Sequence, residues 1–304
     1  MRPLYASQSR ISALTPLELV KLTSVMERTA GSPGVKIGLI DGPVFTEHPD
    51  LEGERLREIS GTTRGACTQT GSLACLHGTF VAGILSAKRD STAPAICPNC
   101  TLLIRPVFAE EVAGGERMPS ATPQELAAAI TQCIGAGVRV INLSLALAQP
   151  STKGERMLED ALNRAVRRGV IVVAAAGNQG TIGGSALTRH PWVIPVVACD
   201  LRGDPMNESN LGSSIGRRGL AAPGDGITSL GSGGPPLTLG GTSVAVPFVS
   251  GTIALLWSEF AHATAVQIKL AVTGASTARR SSVVPPLLDA ANAYQILLSQ
   301  SPSR

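Results

Sequence analysis

Between residues 35 and 199 the chain alternates short, mostly apolar runs with longer amphipathic ones, and this alternation limits its possible folds more than any other feature. "VKIGLID" (35–41), "TLLIRPVF" (101–108), "VRVINLSLA" (138–146), "VIVVAAAGN" (170–178) and "WVIPVVAC" (192–199) read as strands. Runs this short and this rich in Val and Ile suit strands buried on both faces. Between them, "LHGTFVAGILSA" (76–87), "TPQELAAAITQCIGAG" (122–137) and "GERMLEDALNRAVRRG" (154–169) read as helices, the second with Pro123 in its first turn and glycines at its end. Buried strands alternating with helices imply parallel strands joined by right-handed crossovers. The expected fold is therefore α/β, a central, mostly parallel sheet with helices on both faces in three layers. "PLELVKLTSVMERT" (16–29) predicts one more helix, ended by Gly31-Ser32-Pro33-Gly34. No polar linker and no internal repeat divides the 304 residues. The expected organisation is one domain over 1–304: an N-terminal helix and lead-in (1–34), a core (35–296) and a tail (297–304).

Composition excludes several partners. The net charge is only +4, the Arg residues are scattered, and the nine aromatics (two Trp, two Tyr, five Phe) do not interleave with basic residues. Nucleic-acid binding is not expected. Residues 226–258 carry no charge, but they are interrupted by Pro235, Pro236 and Pro247. They leave about 14 helix-compatible residues where a bilayer needs roughly 20, so buried core is expected and a membrane span is not. "MRPLYASQSRISAL" lacks the apolar core of a signal peptide, which points to a cytoplasmic protein. Of six cysteines, Cys133 and Cys199 fall in apolar runs and read as packing residues. Cys67, Cys75, Cys97 and Cys100 admit two local disulfides, a four-thiolate zinc site or free thiols. The seven-residue gap between the first two is wide for a zinc site, so a structural role as disulfides ranks ahead. In a cytosolic protein stable disulfides would be unexpected.

Open α/β sheets bind ligands at the carboxyl ends of their strands. Asp41 ends the first strand, Ser144 to Ala146 close another, and Asn178 ends a third. His77 and Ser243 fall at predicted helix starts, Ser243 within "GGTSVAVPFVSG" (240–251). Acyl transfer from a serine needs a base, a carboxylate to orient that base, and donors for the oxyanion. Ser243, His77, Asp41 and Asn178 supply one of each, and the helix under Ser243 adds its dipole. Taken singly, each is also explained as a cap or turn residue.

Together, "GLIDGPV", "HGTFVAG", "AAAGNQG" and "GGTSVAVPFVSG", in the order Asp, His, Ser, resemble the motifs of the subtilisin-like serine proteases over about residues 35–296. That resemblance implies a subtilisin-like fold and a serine endopeptidase with Asp41, His77 and Ser243 as triad and Asn178 at the oxyanion. It implies a substrate strand lying between Ser144-Leu145-Ala146 and Ala175-Ala176-Gly177. It implies no cofactor and no catalytic metal. The alternative of another class is a catalytically silent scaffold that binds peptides. The chain departs from the family's usual pattern in reading Asp41-Gly42-Pro43. It also has Phe80 and Phe248 where the family usually has His, two changes expected to bring those rings into contact. Ala146 stands where Gly is common, which is expected to narrow the cleft. The short lead-in, "DGPV" and "CPNCTLLIRPVF" are similar to the cyanobactin-maturation subtilases, which process a ribosomal precursor peptide. Only 35 residues separate Asp41 from His77, too few for the helical insertion of the macrocyclising type, so the precursor-cutting type fits better. Glu110, Glu111 and Arg117, in the loop 109–121, are expected to border the substrate or else to be solvated.

Overall fold

In the computed structural model, residues 14–52, 55–61, 67–110, 121–145, 154–276 and 283–301 are described. Seven parallel strands, β1 (Lys36–Asp41), β2 (Leu56–Glu58), β3 (Thr101–Pro106), β4 (Val140–Leu143), β5 (Ile171–Ala175), β6 (Val193–Cys199) and β7 (Leu220–Pro223), form one sheet in the order β2-β3-β1-β4-β5-β6-β7. A separate antiparallel pair joins β8 (Ile227–Ser229) to β9 (Leu237–Leu239). The five strands expected from the sequence are β1, β3, β4, β5 and β6. The reversal of direction around β1, flanked by β3 and β4, opens a crevice at their carboxyl ends.

Alternate residues of each strand feed opposite faces, and both faces are dry. Ile37, Leu39, Val173 and Val196 belong to one core, and Ile40, Ile141, Leu143 and Val172 to the other. On the first face lie α3 (Leu73–Ser86), α8 (Thr242–Glu259), α9 (Ala265–Gly274) and α10 (Ala290–Gln300). On the second lie α4 (Pro123–Gly135) and α5 (Glu155–Arg168). The short α1 (Pro16–Leu19), α2 (Thr23–Met26), α6 (Ala186–Arg189) and α7 (Ser213–Arg218) complete the helices among the described residues. The three-layer α/β arrangement is thus the one the alternation implied. No helix among the described residues is long and apolar enough to cross a membrane.

Three expectations are corrected. Residues 16–29 do not make one helix: the chain turns at Lys21, whose φ is +53°. The break lets Val20 and Leu22 both reach full burial, and the Ala290 N–H donates to the Val20 carbonyl at 3.0 Å. A continuous helix would point these two residues, two positions apart, in diverging directions. The helix bearing His77 begins earlier than expected, at Leu73, because Ser72 caps it by accepting from the Cys75 N–H at 3.2 Å. His77 therefore sits in the second turn, not at the helix entrance. The cysteines realise neither two disulfides nor a zinc site. Cys67 and Cys75 are bonded to each other, while Cys97, Cys100, Cys133 and Cys199 are free and buried.

Candidate active site

The site is assembled where β1 meets the helices on the first face. Asp41 ends β1 and is fully buried. Gly42 and Gly78 let this corner close. A Cβ on Gly42 would overlap the Ala74 carbonyl oxygen, and one on Gly78 would overlap that of Pro43. The segment after β1 can thus press directly on α3, and the Phe45 N–H donates to Thr79 Oγ1 at 2.9 Å. Glycine at 42, one part of the Asp-Gly-Pro departure, is in this way a packing requirement of the corner.

That contact brings Asp41 Oδ1 within 2.7 Å of His77 Nδ1, while the Gly42 N–H donates to the same oxygen at 2.6 Å. On the far side of the ring, His77 Nε2 lies 3.0 Å from Ser243 Oγ. With Nδ1–H donated to the carboxylate, Nε2 is the nitrogen left to accept the serine proton. Burial pulls the pKa of His77 down, but the charge and hydrogen bond of Asp41 outweigh it and hold the imidazole above its ordinary value. A half-buried hydroxyl, an oriented base and a buried carboxylate in one line can take a proton from an attacking serine.

Ser243 is the second residue of α8, with Gly241 as its N-cap at φ +119°. The preceding residue is fixed from outside the helix: the N–H and the hydroxyl of Thr242 both donate to Asn178 Oδ1 at 2.9 Å. The Gly177 N–H donates to Thr242 Oγ1 at 3.2 Å. With two donors on its oxygen, the exposed Asn178 has its amide nitrogen free among the described residues. The structure therefore gathers Asp41, His77, Ser243 and Asn178 at one end of the sheet. Ala175, Ala176 and Gly177 lie buried beside them, and Asn210 Nδ2 holds the Ala176 carbonyl at 3.2 Å.

Ser144 and Leu145 are also buried, and the Ser144 hydroxyl points inward, donating to the Ser243 carbonyl at 2.8 Å. Any contact of Ser144 with a substrate therefore falls to its backbone. Ala146, Glu111 and Arg117 lie outside the described residues. Glu110 is a loop clamp: its carboxylate accepts from the Thr68 hydroxyl and from the N–H groups of Thr68 and Gln69, each N–H at 2.8 Å. Burial raises its pKa, and these bonds more than reverse that. Phe80 and Phe248 are fully buried in the same core, but their rings do not pair among the described residues.

Thr242, Asn142 and Ser250 were not singled out as site residues from sequence. The available signal was a lone Asn inside the apolar run "VINL" and a hydroxyl just before Ser243. Among the described residues, the one compact group of potential metal ligands is Cys67, Cys75 and Glu110, whose two sulfurs are consumed in the disulfide. A concavity of about 840 Å³ bordered by Phe260, His262, Gln267 and Tyr294 shares no residue with the constellation.

A model of the Subtilase family matches residues 32–289. The chain belongs to the subtilase family. A thermostable alkaline protease of Halalkalibacterium halodurans is 33% identical to this subtilase over 245 residues, 80% of this chain and 62% of the other. The subtilase thus spans less than two thirds of that relative's length. Among solved structures, a mutant of the protease domain of PatA superposes with a TM-score of 0.80 at 29% identity, covering 90% of this chain and 98% of that one. The prenylagaramide maturation protease PagA superposes at 0.78 with 29% identity, covering 91% and 98%. The expected likeness to maturation subtilases is therefore met in fold, at 29% identity.

Proposed function

We propose that this subtilase is a serine endopeptidase working through an acyl-enzyme on Ser243. The observation that carries this reading is the unbroken line from Asp41 through His77 to Ser243, with contacts of 2.7 and 3.0 Å. As Ser243 Oγ attacks a peptide carbonyl, His77 Nε2 takes its proton and Asp41 stabilises the imidazolium so formed. Asn178 Nδ2 and the N-terminal N–H groups of α8 receive the oxyanion. His77 then returns the proton to the departing amine, and water releases the acyl group. A silent peptide-binding scaffold would have no use for this alignment, and nothing in the geometry favours one.

For substrate, the reading extends to a ribosomal precursor peptide processed in the cytoplasm. Support comes from the likeness to PagA, a maturation protease, at 29% identity over 91% of the chain. The extended substrate would lie between Ser144-Leu145-Ala146 and Ala175-Ala176-Gly177, pairing through backbone groups.

The test is intact mass after treatment with a fluorophosphonate. One adduct on the parent protein and none on Ser243→Ala is the expected result. A folded parent that takes no adduct would overturn the reading.

A further inference from the structure

We propose that Ser144, Asn142 and Ser250 form a positioning relay for the nucleophile, which replaces a hydrogen bond that Pro247 denies to helix α8. The inference rests on the reading of Ser243 as the nucleophile and adds how its backbone is held.

In an α-helix the carbonyl of residue i accepts from the N–H of residue i+4. For Ser243 that donor would be residue 247, which is proline, inside the helix. Proline has no N–H, and its ring crowds the carbonyl four residues back. The Ser243 carbonyl therefore loses its own helical donor at the residue whose side chain must be aimed at His77. Even a half-buried acceptor left in that state carries a cost.

The structure supplies another donor from the sheet. Ser144 Oγ, 99 positions away in sequence, donates to the Ser243 carbonyl at 2.8 Å. Proton direction along the rest of the relay is set by chemistry. Having given its one hydrogen to Ser243, the Ser144 hydroxyl must accept from Asn142 Nδ2, which lies 2.8 Å away. Asn142 must then present Oδ1 in the opposite direction, where the Ser250 hydroxyl donates to it at 2.6 Å. Asn142 and Ser250 are fully buried and Ser144 nearly so. The Ser250 hydroxyl also lies 3.3 Å from the Val246 carbonyl, and its 2.6 Å contact with Asn142 Oδ1 is the shorter of the two.

The relay starts and ends in α8, at Ser250 and Ser243, and passes through β4 and its exit. Ser243 is consequently clamped through both of its neighbouring peptide groups. Thr242 is tied to Asn178 on one side, and the Ser243 carbonyl is tied to Ser144 on the other. A Cα fixed from both sides leaves only rotation about the side-chain bond, and the rotamer seen points Oγ at His77 Nε2.

The experiment compares rates of fluorophosphonate labelling for the parent, Ser144→Ala, Pro247→Ala and the double variant, together with kcat and KM on a peptide substrate. Ser144→Ala should label about tenfold more slowly, with kcat reduced and KM little changed. The midpoint of the pH–rate profile should stay in place, because the His77–Asp41 contact is untouched. In the Pro247→Ala background residue 247 regains an N–H, so removing the Ser144 hydroxyl should cost less than about threefold. Non-additivity of this sign identifies the relay with the missing helical donor. The pair Ser144→Thr and Ser144→Val, alike in shape, isolates the hydroxyl should the Ala variants fold poorly: Thr should retain the rate and Val lose it. Labelling of Ser144→Ala at the parental rate, or an equal loss in both backgrounds, would overturn the relay while leaving the protease reading intact. A parent that does not label would remove both.

Discussion

His77 sets the pH dependence of the site, and Asp41 sets His77. In the proposed mechanism the base must be neutral, and the pKa of His77 is held above the usual 6.5 by the Asp41 carboxylate. The acidic limb of a kcat/KM profile should therefore lie above pH 6.5. Asp41→Asn removes the charge, so the limb should move to lower pH while kcat falls roughly 10⁴-fold. Stability runs the other way. A folded value above the unfolded one means that the protonated imidazole favours the native state. That contribution is complete below about pH 6.5 and is lost as pH rises through the folded value. Titration of Tm in the parent against Asp41→Asn checks the sign. Asn178→Ala should lower kcat by about 10²–10³ with little change in KM, since its amide meets charge that develops only in the transition state. Asp41, Asn178 and Ser243 were legible in the sequence because strand ends and a helix entrance place them before any contact is known, whereas His77, in the second turn of α3, was legible from its motif. The relay was not. Ser250 and Asn142 meet across 108 positions, and nothing local distinguishes Ser250 from any other small residue in a buried helix.

At the level of elements, the strands from β1 to β6 were readable, β2 apart, because both faces of this sheet are dry and each strand is a run of apolar residues. Helix boundaries were less readable. The apolar residues of 16–29 suggested one helix, yet α1 and α2 are split, because Val20 answers to α10, far away in sequence. The entry to α3 depended on recognising Ser72 as its cap rather than on periodicity. The corner between β1 and α3 makes a sharp demand. Gly78→Ala would drive a methyl group into the Pro43 carbonyl, separating Asp41 from His77. A loss of activity well beyond the loss of Tm is expected, read by comparing labelling rate with thermal melting. Cys67 and Cys75 brace the same corner, joining residues eight apart where the Cys67 N–H donates to the Val44 carbonyl at 3.1 Å. By loop-closure entropy, opening this bond should cost about 2.5 kcal/mol. Melting with and without reductant should show a fall of roughly 5 °C. The four remaining thiols are buried and already reduced.

Across the whole molecule, the lead-in and the last helix fasten each other. Lys21 pairs with Asp289 at 2.6 Å, and Arg28 lies over the Tyr294 ring at 4.9 Å. Val20, Leu22 and Val25 fill the core beneath. Leu22→Ala should therefore cost about 2–5 kcal/mol in denaturant unfolding, a core-sized penalty for a residue that precedes the first strand. The largest consequence at this scale belongs to the sheet. Each of its six pairings is parallel. A parallel pair cannot begin as a hairpin, and the chain must close a crossover before any contact between the two strands is rewarded. Such a topology has a high kinetic barrier in both directions: slow to assemble from a denatured chain, and slow to come apart once assembled. For the proposed endopeptidase this is protective. Copies that open rarely present few unfolded loops to their neighbours, so working lifetime is governed by the rate of unfolding more than by its equilibrium.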